Sequence, residues 1–293
     1  MSPSSSASPS LPPGRPKEEN PPREESGATQ PPARGPFLSP AALAARLASA
    51  NPPTLLAVGN DGVLPPAIHP ASHATELSSH YASAGGADRG RLPLPDPADV
   101  RAWLARLGIA DGIDLVVYDN GGGSQAARAW WVLSWIGHYP VAILDGGEPA
   151  WRAFRQHGDS AQATDDLTDL PRAAFLAVDT DDIADDPARY RLFDARATAA
   201  YAGNGITPSH LPGAVSSPAA AWQDSDGRLL PRAQREAKAR ALGLLDASGA
   251  PVVAYCGSGV AAAYWIAAVA DLGVRASLYA GSWSAWSARF HST

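Results

Sequence analysis

Two stretches of this chain are written to one plan. "LVVYDNGGGSQAARAWWVL" (115–133) and "VVAYCGSGVAAAYWIAA" (252–268) each run a β-branched apolar segment into a Tyr, then small residues, then an Ala- and Trp-rich helical segment. Tyr118 corresponds to Tyr255 and Trp130 to Trp265, which makes the first loop two residues longer. Further pairs follow in the same order: "LLAVGN" (55–60) with "RLFDAR" (191–196), "VLPPAI" (63–68) with "HLPGAV" (210–215), "GRLPL" (90–94) with "GRLLP" (227–231), and "LDGGEPAW" (144–151) with "YAGSWSAW" (279–286). An offset of 135 to 147 residues is too long for a solenoid unit and is the size of a whole domain. A chain of 293 residues has room for two such domains.

The repeat places a first domain over residues 37–157, a second over 189–293, and an acidic, Pro-interrupted linker over 158–188. Residues 1–36 hold ten of the 28 prolines and almost no large apolar side chain, which predicts a disordered tail. They contain no apolar core of a secretory signal, and their several Glu residues argue against a transit peptide. Within each domain, "DLVVYD", "VAILDG", "RLFDAR", "PVVAYC" and "RASLYA" read as buried strands, and "DPADVRAWLARLG", "AARAWWVLSWIGH", "PRAQREAKARALG" and "AAAYWIAAVADLG" as helices. The alternation predicts an α/β fold, a mainly parallel sheet with helices on both faces. Chemistry in such sheets sits in loops at the carboxyl ends of strands.

Cys256, the one cysteine of the chain, stands at such a strand end. A single thiol excludes an internal disulfide, and no Cys/His cluster has metal-site spacing, so neither metal nor cofactor is expected. The small residues Gly257, Ser258 and Gly259 let the chain curl so that backbone N–H groups and the start of the next helix face the sulfur. Ser258 adds a hydroxyl for substrate or proton. A net charge of −6 and a pI near 5.6 give no reason to expect nucleic acid or an acidic membrane as partner. No apolar run approaches a membrane span. A cytoplasmic location fits one free thiol. "GGG" (121–123) lacks the Lys-Ser/Thr of a phosphate loop.

These residues carry a resemblance. "CGSGVAA" is similar to the active-site loop of the mercaptopyruvate branch of the rhodanese family, and "FDAR" (193–196), "HLPGAV" and "YAGSWSAW" follow the family's order, while the first copy resembles its inactive repeat. The resemblance covers residues 52–293 and implies two tandem rhodanese-like domains with catalysis in the second. It implies that Cys256 is the nucleophile of a sulfurtransferase. Gly257, Ser258, Gly259, Val260 and Ala261 form the active-site loop. A persulfide on Cys256 passes sulfur from a small anionic donor, 3-mercaptopyruvate or thiosulfate, to cyanide or a thiol such as that of a thioredoxin-like protein. The loop lacks the Arg and Lys associated with thiosulfate. Arg196 is the candidate substrate-binding residue, with a structural salt bridge as its competing role.

The sequence departs from the family in several places. Ala200 stands where an Arg grips the donor, the loop from Gly203 to Ser209 lacks a second Arg, Ala261 replaces a Thr, and Val63 replaces a first-domain His. His210 reads as a turn residue, and the Trp-rich segments as core. Asp119 occupies the place of Cys256 in the first copy, which gives that domain a structural role. Two rival readings remain: a persulfide carrier between proteins or a decayed binding module, motivated by the missing arginines, and a cysteine phosphatase, which lacks the Arg its loop requires.

Overall fold

A computed structural model describes residues 35–158, 175–205, 209–246 and 249–291. Almost all of the expected tail lies outside the described residues, as does the first half of the expected linker, residues 159–174. Each half is a five-stranded parallel sheet, and the two sheets have the same strand order. In the first half the order is β1 (Phe37–Leu38), β5 (Val141–Leu144), β4 (Leu115–Tyr118), β2 (Thr54–Gly59), β3 (Ser72–Glu76). In the second it is β6 (Ala177–Val178), β10 (Ala276–Tyr279), β9 (Val252–Tyr255), β7 (Arg191–Asp194), β8 (Val215–Ser216). The central strands β4 and β9 are buried along their whole length, as the continuous apolar runs require of parallel strands covered on both faces.

In the first half the helices are α1 (Pro40–Leu47), α2 (Leu77–His80), α3 (Pro97–Arg106), α4 (Ser124–Trp135) and α5 (Gly147–His157). The second half has α6 (Thr180–Asp185), α7 (Thr198–Ala202), α8 (Arg232–Ala241), α9 (Val260–Ala270) and α10 (Ser282–Phe290). Four of these, α3, α4, α8 and α9, take the places the periodicity predicts, and the other six lie outside the segments that read as helices. Ser39 and Asp96 cap α1 and α3 by accepting the N–H of Ala42 and Ala98, each followed by a Pro at the first helical position.

The two halves share one core. Trp130 and Trp131 of α4 and Tyr264 and Trp265 of α9 belong to a single continuous apolar cluster, which puts these two helices back to back at the join. Each half keeps a separate smaller core on the outer face of its sheet. The all-apolar α9 is buried over Ala262–Ala270, as a helix without a polar face must be.

Two boundaries move. Pro36 already belongs to the first sheet, since its carbonyl accepts from Ile143 N–H at 2.8 Å. The second half begins well before residue 189. Phe175 packs on Trp130 with ring centroids 5.1 Å apart, β6 pairs with β10, and α6 starts in a reciprocal capping box between Asp179 and Asp182. Among the described residues, the acidic run from Asp179 to Asp186 that contributed to the linker reading is α6 with its capped start. A two-residue strand is too short to show any alternation.

Candidate active site

Strand β9 ends at Tyr255 and delivers Cys256 at the carboxyl edge of the second sheet, 4% exposed. The chain turns through Gly257, Ser258 and Gly259 and enters α9 at Val260. Gly259 N–H donates to Cys256 Sγ at 3.2 Å. Gly259 is the helix cap at φ +81°, and a β-carbon there would stand 2.7 Å from Arg128 Nη1 and 3.1 Å from Ala280 backbone atoms. The turn therefore requires glycine twice over, for conformation and for space. The sulfur sits at the amino end of a helix of eleven residues and accepts the N–H of its cap residue.

The backbone of this loop is locked from the next strand end. Ser282 Oγ accepts Cys256 N–H at 3.2 Å and donates to Tyr279 O at 2.8 Å. Trp283 N–H donates to Cys256 O at 2.9 Å, and Ser284 N–H to Gly257 O at 3.1 Å. Ser282 holds φ +54°, and its first-half counterpart is Gly147 at φ +60°. A serine retained where the sister copy has glycine accepts a strained backbone for the sake of its hydroxyl contacts.

The first half shows what this kind of turn binds. Asp119, at the end of β4, accepts N–H bonds from Gly121 (2.9 Å), Gly123 (3.2 Å), Gln125 (3.1 Å) and Ala126 (3.2 Å). Burial raises its carboxyl above the ordinary range, and those four donors pull it back. The silent turn thus wraps four N–H donors around a carboxyl group of its own, at the position Cys256 holds in the other half. Measured from strand end to helix cap, its turn is one residue longer, Asp119–Gly123 against Cys256–Gly259. The two-residue difference obtained from the tryptophans matches Trp130 and Trp265 one step out of phase.

Each turn is covered from the opposite half. Arg128, the fifth residue of α4, is fully buried and donates to Tyr81 O (3.3 Å), Leu92 O (2.9 Å) and Gly259 O (3.5 Å). Tyr264, the fifth residue of α9, lies in the same way over Gly123, with Cε2 2.7 Å from where a β-carbon would be. No carboxylate among the described residues pairs with Arg128. Burial lowers its pKa to about 10, and negative charge at Cys256 counters the drop, so it is cationic at neutral pH.

Arg196, the expected donor contact, is largely committed elsewhere. Its Nε lies 3.0 Å from both Asp194 oxygens, and its Nη2 donates to Asp194 Oδ2 at 2.6 Å and to Ser209 O. It also lies over Trp283, 4.8 Å from the ring centroid. Of its donor nitrogens only Nη1 has no hydrogen bond to a described residue. Ser258 is half-buried in the turn, and Val260 and Ala261 are the first residues of the helix that follows it. His210 is a turn residue: Nδ1 bonds Tyr201 O at 3.0 Å, and the ring stacks on Tyr201. Trp130, Trp131, Trp265 and Trp286 are core. Among the described residues no cluster of His, Cys, Asp or Glu is arranged to hold a metal. No described helix is long and apolar enough to cross a membrane.

Sequence reasoning missed Arg91, Arg128, Ser282 and Ser284. A signal existed for two of them. Arg128 is the one charged residue in the apolar run "AARAWWVL", and Ser282 opposes a glycine in the sister copy. Arg91 and Ser284 act through loop contacts that have no period.

Comparison with known proteins agrees with this arrangement. The Rhodanese-like domain family matches residues 65–154 and 179–289. A putative thiosulfate sulfurtransferase SseB of Mycobacterium tuberculosis is 36% identical over 238 residues, 77% of this chain and 80% of its own. A probable 3-mercaptopyruvate sulfurtransferase of Pseudomonas aeruginosa is 39% identical over 214 residues, 67% of this chain and 72% of its own. Among solved structures, a 3-mercaptopyruvate sulfurtransferase from Leishmania major superposes with a TM-score of 0.67 at 23% identity, covering 90% of this chain and 76% of that one. With the family's domain matched in both halves and the same sheet built twice around a cysteine turn and its silent twin, the chain belongs to the rhodanese family.

Proposed function

We propose that this protein, a sulfurtransferase by family, carries sulfane sulfur as a persulfide on Cys256, from a small anionic donor to a thiol or to cyanide. One observation carries the assignment. Cys256 Sγ accepts a helix-start N–H in a turn whose twin cradles a carboxylate, so the turn is an anion site with its nucleophile inside. With 3-mercaptopyruvate, the Cys256 thiolate attacks the donor sulfur. An S–S bond forms, the donor C–S bond breaks, and the electron pair on the departing carbon takes up the donor's thiol proton to give pyruvate. With thiosulfate the S–S bond of the donor breaks and sulfite leaves. An acceptor thiolate or cyanide then takes the outer sulfur and returns Cys256 as thiolate, a ping-pong cycle.

The turn's N–H groups hold the sulfur anion in both half-reactions, and Arg128 supplies positive charge behind them. Gly257, Ser258 and Gly259 leave room for a second sulfur, with Val260 and Ala261 opening the helix that points at it. Arg196 orders the second half through Asp194 and offers Nη1 to the donor. A thioredoxin-like protein is a suitable acceptor, and a reducing compartment, the cytoplasm, suits one free thiol.

Incubation with either donor is expected to add one sulfur atom to the intact mass. The gain is expected to be absent in Cys256→Ala. No gain with either donor in the wild type would overturn the proposal.

A further inference from the structure

The two halves dock through equivalent loops, and the difference between those loops singles out Arg91. In the first half the loop from Ser83 to Pro93 closes on itself. Ser83 N–H donates to Pro93 O at 3.1 Å, Gly86 N–H to Gly90 O at 3.0 Å, and Gly90 N–H to Gly86 O at 2.8 Å. Its tip rests on the cysteine-bearing half, where a β-carbon on Gly90 would stand 2.5 Å from Gly281 O. The second half returns the contact. Gln223 Nε2 donates to Gly122 O at 2.6 Å, and Leu229 N–H to Asp145 Oδ1 at 2.8 Å. The matched stretches "GRLPL" and "GRLLP" make Arg91 the counterpart of Arg228.

Their surroundings differ in charge. Arg228 reaches a half whose strand ends carry Asp119 and Asp145, and its charge is felt at Asp145. The positions equivalent to those acids in the other half are Cys256 and Ala280. Arg91 accordingly meets no carboxylate among the described residues. Its guanidinium is exposed and forms no hydrogen bond or ion pair with any described residue. It is nevertheless held at the cysteine turn, with Nη2 2.7 Å from where a Gly257 β-carbon would be. Its backbone is pinned there too: Arg91 N–H donates to Ser284 Oγ at 3.0 Å, and Ser284 N–H donates to Gly257 O at 3.1 Å.

We infer that Arg91 is the specificity-determining residue for the sulfur donor, its guanidinium binding the donor's anionic group while Cys256 attacks the sulfur. The inference rests on the sulfur-transfer reading above, and it places the grip in the half that lacks the nucleophile. A planar guanidinium meets a carboxylate or a sulfonate-like group with two parallel hydrogen bonds. Ala200, on α7, brings no charge to that task, and Arg196 is bound to Asp194.

The test uses Arg91→Ala and Arg91→Lys in the full chain. In both variants the thermal midpoint should stay at the wild-type value, because the side chain is exposed. Arg91→Ala should raise KM for 3-mercaptopyruvate, thiosulfate or both by about tenfold or more with little change in kcat, the size of a lost charge-assisted pair. Which of the two rises tells whether a carboxylate or a sulfonate-like group is held. Arg91→Lys should recover part of the loss. A second readout does not depend on sulfur transfer. Iodoacetate and iodoacetamide both alkylate the sole cysteine, a bond forming from Sγ to carbon as iodide leaves, and only the first carries a carboxylate. The iodoacetate-to-iodoacetamide rate ratio should fall about tenfold in Arg91→Ala. If wild type takes up sulfur while KM and the ratio are both unchanged in Arg91→Ala, the Arg91 inference is overturned and the sulfur-transfer reading stands. If the ratio falls but no donor loads Cys256, the sulfur-transfer reading is the one that fails.

Discussion

A fully buried guanidinium beside a cysteine, with no carboxylate among the described residues to pair with, defines the candidate site at the scale of single residues. Arg128 exchanges its water for three carbonyl groups and faces a position that becomes negative when Cys256 ionises. Arg128→Met is expected to slow alkylation of Cys256 by iodoacetamide at neutral pH by about tenfold, the equivalent of ~1.4 kcal/mol. The chain has one cysteine, so the label reports this thiol alone. An unchanged rate would reduce Arg128 to a clamp on its three carbonyls. The sequence made Cys256 legible because one thiol stood in a repeat whose other copy had none. Arg128 was not legible, since nothing in a helix written in Ala and Trp says that its arginine points inward to a second domain. Arg196 was legible only as a candidate with a salt bridge as its competing role. The stretch "FDAR" does not reveal that its own Asp194 occupies the guanidinium.

At the scale of elements, the strand–turn–helix unit is the working part, and its tolerance can be read from its glycines. Gly259→Ala forces a side chain to φ +81° and against Ala280 backbone atoms that cannot move aside. A loss of about 1–2 kcal/mol in urea-unfolding free energy is expected from the backbone conformation alone, together with slower persulfide formation. Gly257→Ala is the control: its β-carbon would meet only Arg91 Nη2, the far end of a flexible side chain, and should leave unfolding nearly unchanged. Equal destabilisation by both would contradict this account of the turn. The strands β2 and β3 and the helices α5 and α10 went unread, whereas β4, β5, β7, β9 and β10 were legible from their apolar runs, as were α3, α4, α8 and α9, these helices each stopping two or three residues before the Gly that follows. β1, β6 and β8 were not, because two residues have no period.

At the scale of the whole molecule, the join between the halves is both an apolar core and a set of polar ties, and one tie titrates. Asp145 Oδ1 accepts Leu229 N–H across the join. Burial pushes its carboxyl up to about 6, with Asp224 adding to the rise and the Leu229 bond, Arg228 and Arg235 opposing it. A carboxyl whose folded pKa is raised contributes stability that is fully present below its unfolded pKa and is lost as pH rises through the folded value. For Asp145 that window runs from about 4 to about 6, and the loss is on the order of 2–3 kcal/mol. Asp145→Asn keeps an acceptor for Leu229 and removes the charge. Its urea-unfolding free energy should therefore decline less than that of wild type between pH 4 and 6.5. Parallel curves for the two proteins would refute this assignment.

The exchange of Arg128 and Tyr264 across the join also says something about descent. Each half completes the other's turn from the same place on its own helix, as two identical copies would about a twofold axis. The two copies divide the parts, with the sulfur in one and the buried cation in the other. The reactive unit is therefore inherited as a couple. A recombination event that carried residues 177–291 alone into another protein would transmit the cysteine without the charge behind it. The first copy carries no thiol, and what it lends is the cation behind the other copy's sulfur.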